Sequence, residues 1–186
     1  MKIKHIVLRN FKELDEALKV KVLETYRDIN TQFSDFETYD LNAIEEAKKE
    51  GFDVKNFEYS GFWSQGDGAR IMINSFKGNF ETPKKIKELL DNGELYIFQK
   101  LNGYGNYYSH ANTFYLDYEI YESVSDKLEK QIGEFVESTQ TLLRDLSNKL
   151  YRELEDNFNY LQTDERIIDT IEINEYLFNE EGEIDN

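Results

Sequence analysis

Gln65, Asp67, Tyr108 and His110 have the side chains for proton-transfer chemistry, and they fall in two short segments. The first is Ser60-Gly61-Phe62-Trp63-Ser64-Gln65-Gly66-Asp67-Gly68-Ala69; the second is Tyr107-Tyr108-Ser109-His110-Ala111-Asn112-Thr113. An imidazole titrates near neutrality, so His110 could give or take a proton, with Asp67, Tyr108 and Gln65 orienting it. The same four groups would also make a hydrogen-bonded lattice that fixes two loops, and the side-chain types alone leave both arrangements open. Metal chemistry has less to work with. There is no His-x-x-x-His, no His-Glu-x-x-His and no EF-hand loop, and Asp67 with Asp117 or Glu119 could hold a hard divalent cation through oxygen ligands. No other cofactor is expected. Gly66-Asp67-Gly68 and Gly103-Tyr104-Gly105 lack the strand-to-helix setting of a dinucleotide site, and no Gly-x-Ser-x-Gly elbow occurs.

The first segment concentrates three of the ten glycines and the only tryptophan in ten residues. Strand-like sequence flanks it at 53–59 and 69–76, so it reads as a turn between paired strands, with an unusual backbone path. In that setting Trp63 is expected to be at least partly buried. Asp67 is expected to accept hydrogen bonds from the turn. Both segments bracket strands of one sheet, which should bring the glycine turn close to Tyr107–Asn112.

The remaining elements follow from periodicity and breakers. Lys2–Leu8 reads as a strand containing His5, which is given no role. Asn10 or Asp15 caps a helix that runs to about Asn30. Leu41–Glu50 is a short helix stopped by Gly51, and Pro83 opens a helix over 83–91. Leu95–Gln99 and Tyr107–Tyr121 read as strands. Apolar residues at threes and fours from Ser123 to about Asn159 predict one long amphipathic helix, with a possible bend at Gly133. A helix over 164–175 and a short strand or tail over 176–184 close the chain. The fold class is α+β: an antiparallel sheet covered by helices, with a long amphipathic C-terminal helix. The chain reads as a single domain over 1–186 whose acidic helical arm spans about 123–186.

Composition sets further bounds. Phe and Tyr number 13 each, so a small core can still be rich in buried rings. The absence of Cys removes disulfides and thiolate sites and fits a cytoplasmic location. No apolar run reaches the length of a membrane span, and the first eight residues do not make a signal peptide. The net charge is −16, and residues 151–186 carry 12 acids against 2 bases. Direct binding to duplex DNA is therefore disfavoured and a basic protein partner is favoured. Trp63, Glu153, Glu155 and Asp156 are the candidate partner-binding residues. A countervailing basic patch is conceivable from Lys84, Lys85, Lys87, Arg70 and Lys77 with Tyr104, Tyr107 and Tyr108, a mixture of charge and rings that could face RNA. The stripe on the long helix suits a homodimer as well as packing on its own sheet.

Several stretches carry a family resemblance: Phe11–Ala17, Tyr26–Asn30, Ser60–Ala69, Tyr108–His110, and Asn174–Phe178 with Gly182. Together they resemble a family of small acidic phage and prophage proteins labelled uncharacterised or antitoxin-like. In length and acidity the chain is also similar to type II anti-CRISPR proteins. What the resemblance implies is a phage counter-defence protein that binds a type II CRISPR nuclease with its guide RNA and blocks target DNA binding or cleavage. It implies no catalytic residue. Two other functions remain open: a ribonuclease that truncates guide RNA through Gln65, Asp67, Tyr108 and His110, with or without a divalent cation, and an antitoxin that neutralises a basic toxin.

Overall fold

Hairpin signals and helix caps in the sequence generate most of the architecture directly. The computed structural model describes residues 7–32, 41–103 and 107–184. The expected strand over Lys2–Leu8 with His5, and Tyr104, lie largely or wholly outside those residues. The chain divides into two compact units, 40–155 and 1–39 with 156–186.

In unit 40–155, strands β2 (Phe52–Tyr59), β3 (Ala69–Phe76), β4 (Leu95–Leu101) and β5 (Phe114–Ile120) form an antiparallel sheet in the order β2-β3-β4-β5. Helices α2 (Asn42–Lys49) and α3 (Lys84–Asp91) are joined by α4 (Asp126–Leu161), which leaves this unit after residue 155. Helix α4 is continuous through Gly133. Its Ile132, Val136, Leu143, Leu146, Leu150 and Leu154 are buried at steps of three and four, the helical period read in the sequence. Inward residues of the sheet, Ile71, Ile73, Ile97, Phe114 and Leu116, complete the core. The expected strand over 107–121 is shorter than read: only Phe114–Ile120 pairs, because 107–113 forms a separate loop.

The two hairpins meet at a single β3–β4 pairing, Phe76 with Ile97. Beyond it the Gln99 side chain substitutes for the missing ladder. Its Oε1 accepts from the Ile73 N–H at 3.0 Å, and its Nε2 donates to the Ile71 carbonyl at 3.0 Å. Helix α4 satisfies other strand groups. The Ile71 N–H donates to Ser147 Oγ, the Leu116 N–H donates to Gln140 Oε1, and Arg144 Nη2 donates to the Phe114 carbonyl. Buried backbone polar groups are costly to leave unpaired, so these side chains fix the register of α4 on the strands.

The other unit pairs β1 (Arg9–Asn10) with β6 (Leu177–Phe178) beside α1 (Glu16–Thr25) and α5 (Asp164–Ile173). Both expected caps exist. Asn10 and Glu13 form a capping box on a 3-10 turn over Phe11–Glu13, and Asp15 caps α1. Helix α1 ends at Thr25, short of Asn30, because Asn30 has another task. Its amide donates to the Leu161 and Arg166 carbonyls, and its oxygen accepts from the Thr170 hydroxyl. Phe11, Leu14, Val22, Ile167, Ile171 and Phe178 form the core of this unit.

Candidate functional site at the glycine turn

Close packing of two loops explains why the β2–β3 turn needs its glycines. A Cβ at Gly66, where φ is +93°, would lie 2.7 Å from the Tyr108 ring, and one at Gly68 would lie 2.3 Å from His110 Cβ. The turn and the 107–113 loop are therefore in contact, as expected from the sheet order. Beneath them Arg70 is almost fully buried. Its guanidinium pairs with Glu58 and donates from Nη1 to the Tyr108 carbonyl at 3.1 Å and to Thr113 Oγ1 at 2.9 Å. Thr113 in turn donates to the His110 carbonyl at 2.6 Å. Sequence reasoning placed Arg70 in a surface basic patch; burial and pairing with Glu58 remove it from any such patch. Lys77 and Lys87 are likewise engaged, with Asp53 and Asp91. The cue for Arg70 was its place opposite Glu58 in the register of the two strands.

Gln65, Tyr108 and His110 share one groove, which Gly66, Asn112 and Thr113 complete. His110 Nδ1 accepts from the Asn112 N–H at 3.1 Å. Asp67 is not among the lining residues. Its carboxylate accepts from the Ser64 N–H at 2.6 Å and lies beside Gly61, where an added Cβ would sit 3.5 Å from it. Asp67 thus accepts the turn's hydrogen bond as expected, and it organises the turn instead of lining the groove with His110. Among the described residues no three His, Asp or Glu side chains gather in a metal-binding group. Asp117 pairs with Lys100, which holds its carboxyl below the usual range by hydrogen bonding, and Glu119 accepts from the Tyr121 hydroxyl.

Trp63 corrects a sequence expectation. It is 65% exposed instead of partly buried, and its φ is +73°, in the left-handed region that bulky residues rarely occupy. The reason lies with its neighbour. Phe62 takes the inward place, 5.9 Å from Tyr59 and 5.7 Å from Tyr151 between ring centroids, and Trp63 follows it outward at 6.0 Å. The backbone N–H of Trp63 donates to the Tyr151 hydroxyl. Burial, then the charges of Glu155 and Asp67, push the Tyr151 phenol above its ordinary value. Asp67, bonded to the Ser64 N–H next to Trp63, and Glu155, one helical turn after Tyr151, thus both act on the tyrosine that holds the Trp63 backbone. Glu153, expected to face a partner, instead accepts from the Ala43 N–H at 3.2 Å and caps α2, which has no side-chain cap of its own. Glu155 is half-buried, and Asp156 is exposed in the other unit.

Fold and site define an α+β protein whose glycine turn is packed on a neighbouring loop and displays the chain's single tryptophan. A family model described as a domain of unknown function, DUF8835, matches residues 31–164, and the chain belongs to that family. No curated protein and no solved structure matches the chain. No described helix is long and apolar enough to cross a membrane.

Proposed function

We propose that the chain is a binding protein that engages a basic protein surface through Trp63 and the carboxylates of Asp67 and Glu155. The observation that carries this reading is the exposed indole held at a positive φ. A non-glycine residue in that region costs roughly 1–3 kcal/mol, and such strain collects at ligand-contacting positions. Tryptophan is also among the residues that most often anchor interfaces. Asp67 and Glu155 favour a cationic counterpart, since a Lys or Arg can pair with a carboxylate and lie over an indole face. The partner we propose is a type II CRISPR nuclease with its guide RNA, and the outcome is lost target DNA binding in the host cytoplasm. Such a nuclease has a positive channel for the heteroduplex and the displaced strand, to which an acidic protein is attracted.

The test combines the protein with nuclease–guide complex, then reads guide RNA on a denaturing gel and target DNA binding in parallel. Intact RNA, lost DNA binding and recovery of binding with Trp63→Ala are expected. Shortened RNA that His110→Ala restores to full length would replace this reading with the ribonuclease. An inhibitor unaffected by Trp63→Ala would end the role of the tip.

A further inference from the structure

The groove beside the glycine turn is an anomaly of composition. One third of the chain's residues are charged, 32%, yet the described residues that line it, Gln65, Gly66, Tyr108, His110, Asn112 and Thr113, include no carboxylate, lysine or arginine. Arg70, the cation beneath it among the described residues, is engaged with Glu58, the Tyr108 carbonyl and Thr113. The groove measures about 480 Å³, within the range of small-molecule sites. We propose that it takes an uncharged nucleobase, presented as a nucleoside.

Three features select that ligand class. Gln65 and Asn112 are exposed primary amides, each with a donor and an acceptor side by side. That pairing matches the edge of a base, as asparagine and glutamine do when they read adenine. Tyr108 supplies a ring on which a planar ligand can stack. His110 adds a directed donor: with Nδ1 accepting from the Asn112 N–H, the neutral ring carries its proton on Nε2. The loop is also set in advance, because Arg70 and Thr113 bond the carbonyls of Tyr108 and His110. A phosphate finds no free cation among the described residues of the groove and is repelled by a chain of net charge −16. A metal ion finds no carboxylate among the described lining residues. The site goes beyond the partner reading above and does not depend on it.

The experiment is a titration of the whole chain, with its histidine rings isotope-labelled, against adenosine, guanosine, cytidine, uridine, adenosine monophosphate and ribose. Proton–carbon NMR follows His110, and His5, the only other histidine, serves as the internal control. Saturable movement of the His110 signals by at least one nucleoside is expected, with no response to ribose. Adenosine monophosphate should bind more weakly than adenosine, with the gap narrowing as salt is added. Gln65→Ala and Asn112→Ala, both at exposed positions, should each weaken the nucleoside by roughly tenfold, the loss expected for one bidentate base contact. The proposal fails if no nucleoside moves His110 up to about 10 mM, a concentration that would reveal even very weak affinity. It also fails if ribose acts like the nucleosides, if the phosphate form binds tighter, or if both amide variants bind like the parent.

Discussion

The glycines of the turn answer to packing, which makes their substitution informative. Gly68→Ala forces a Cβ against His110 Cβ and to within 3.0 Å of its Cα, where nothing flexible can yield. Overpacking of this kind costs about 1–3 kcal/mol, measurable by denaturant unfolding. Gly66→Ala meets the Tyr108 ring instead, so Tyr108→Ala should relieve part of its cost, and a double-mutant cycle should show positive coupling. A cycle with no coupling would mean that the loops do not touch. Tyr151→Phe removes the acceptor of the Trp63 backbone N–H. With only one tryptophan, fluorescence reports the tip alone, and its anisotropy should fall in that variant while far-ultraviolet circular dichroism is unchanged. The raised phenol of Tyr151 also sets a sign. The contribution of this group to stability is present below the ordinary tyrosine value and is lost as pH rises through the folded value. Alkaline unfolding should therefore respond to Tyr151→Phe, whereas stability near neutrality should show only the loss of the hydrogen bond.

Elements with strong local signals were legible in the sequence, and those governed by distant partners were not. Phe52–Tyr59, Ala69–Phe76 and Lys84–Asp91 lie within a residue of their expected limits, because Gly and Pro punctuate them. The 107–113 loop was read as strand because its rings suit a sheet, and the Arg70 bonds that pull it away come from a residue some forty positions earlier. The turn's contact with that loop was legible from strand order, but the separation of Asp67 from His110 was not: both depend on side-chain direction, which spacing does not give. In the sequence Glu153 reads as a partner-binding acid. Its role depends on the N-terminus of α2, far back in the chain. Glu153→Gln keeps an acceptor and should cost less than Glu153→Ala, which should lose about 0.5–2 kcal/mol, the usual worth of a helix cap. Equal costs would show that the cap is not made. A similar argument applies to the gap between β3 and β4. Gln99→Leu leaves the Ile73 N–H and Ile71 carbonyl without their partner, so hydrogen exchange at Ile73 should accelerate ahead of the rest of the sheet.

At the scale of the whole molecule, the proposed basic partner would be met through charge. The excess of acids lies late in the chain, and part of it is used internally: Asp164 pairs with Arg27, Glu172 with Lys12 and Glu153 with the start of α2. Reversal of those residues would confound lost binding with lost stability. Asp156 and Glu180 are exposed and make no such pairing, so Asp156→Lys with Glu180→Lys isolates the field. Surface changes of this kind usually move stability by less than about 0.5 kcal/mol, so the melting transition should stay near the parent's. If long-range attraction steers the partner, the double reversal should slow association at low salt and leave dissociation nearly unchanged. The difference from the parent should shrink as ionic strength rises, because the screening length falls from about 30 Å at 0.01 M to about 8 Å at 0.15 M. Trp63→Ala should show the opposite pattern: faster dissociation with little dependence on salt, as expected for an anchor buried at the centre of an interface. Surface plasmon resonance against the nuclease–guide complex separates the two rates. Should both variants change the same rate with the same salt dependence, anchor and field would not be separate contributions, and the division of work between the indole and the acidic surface would be wrong.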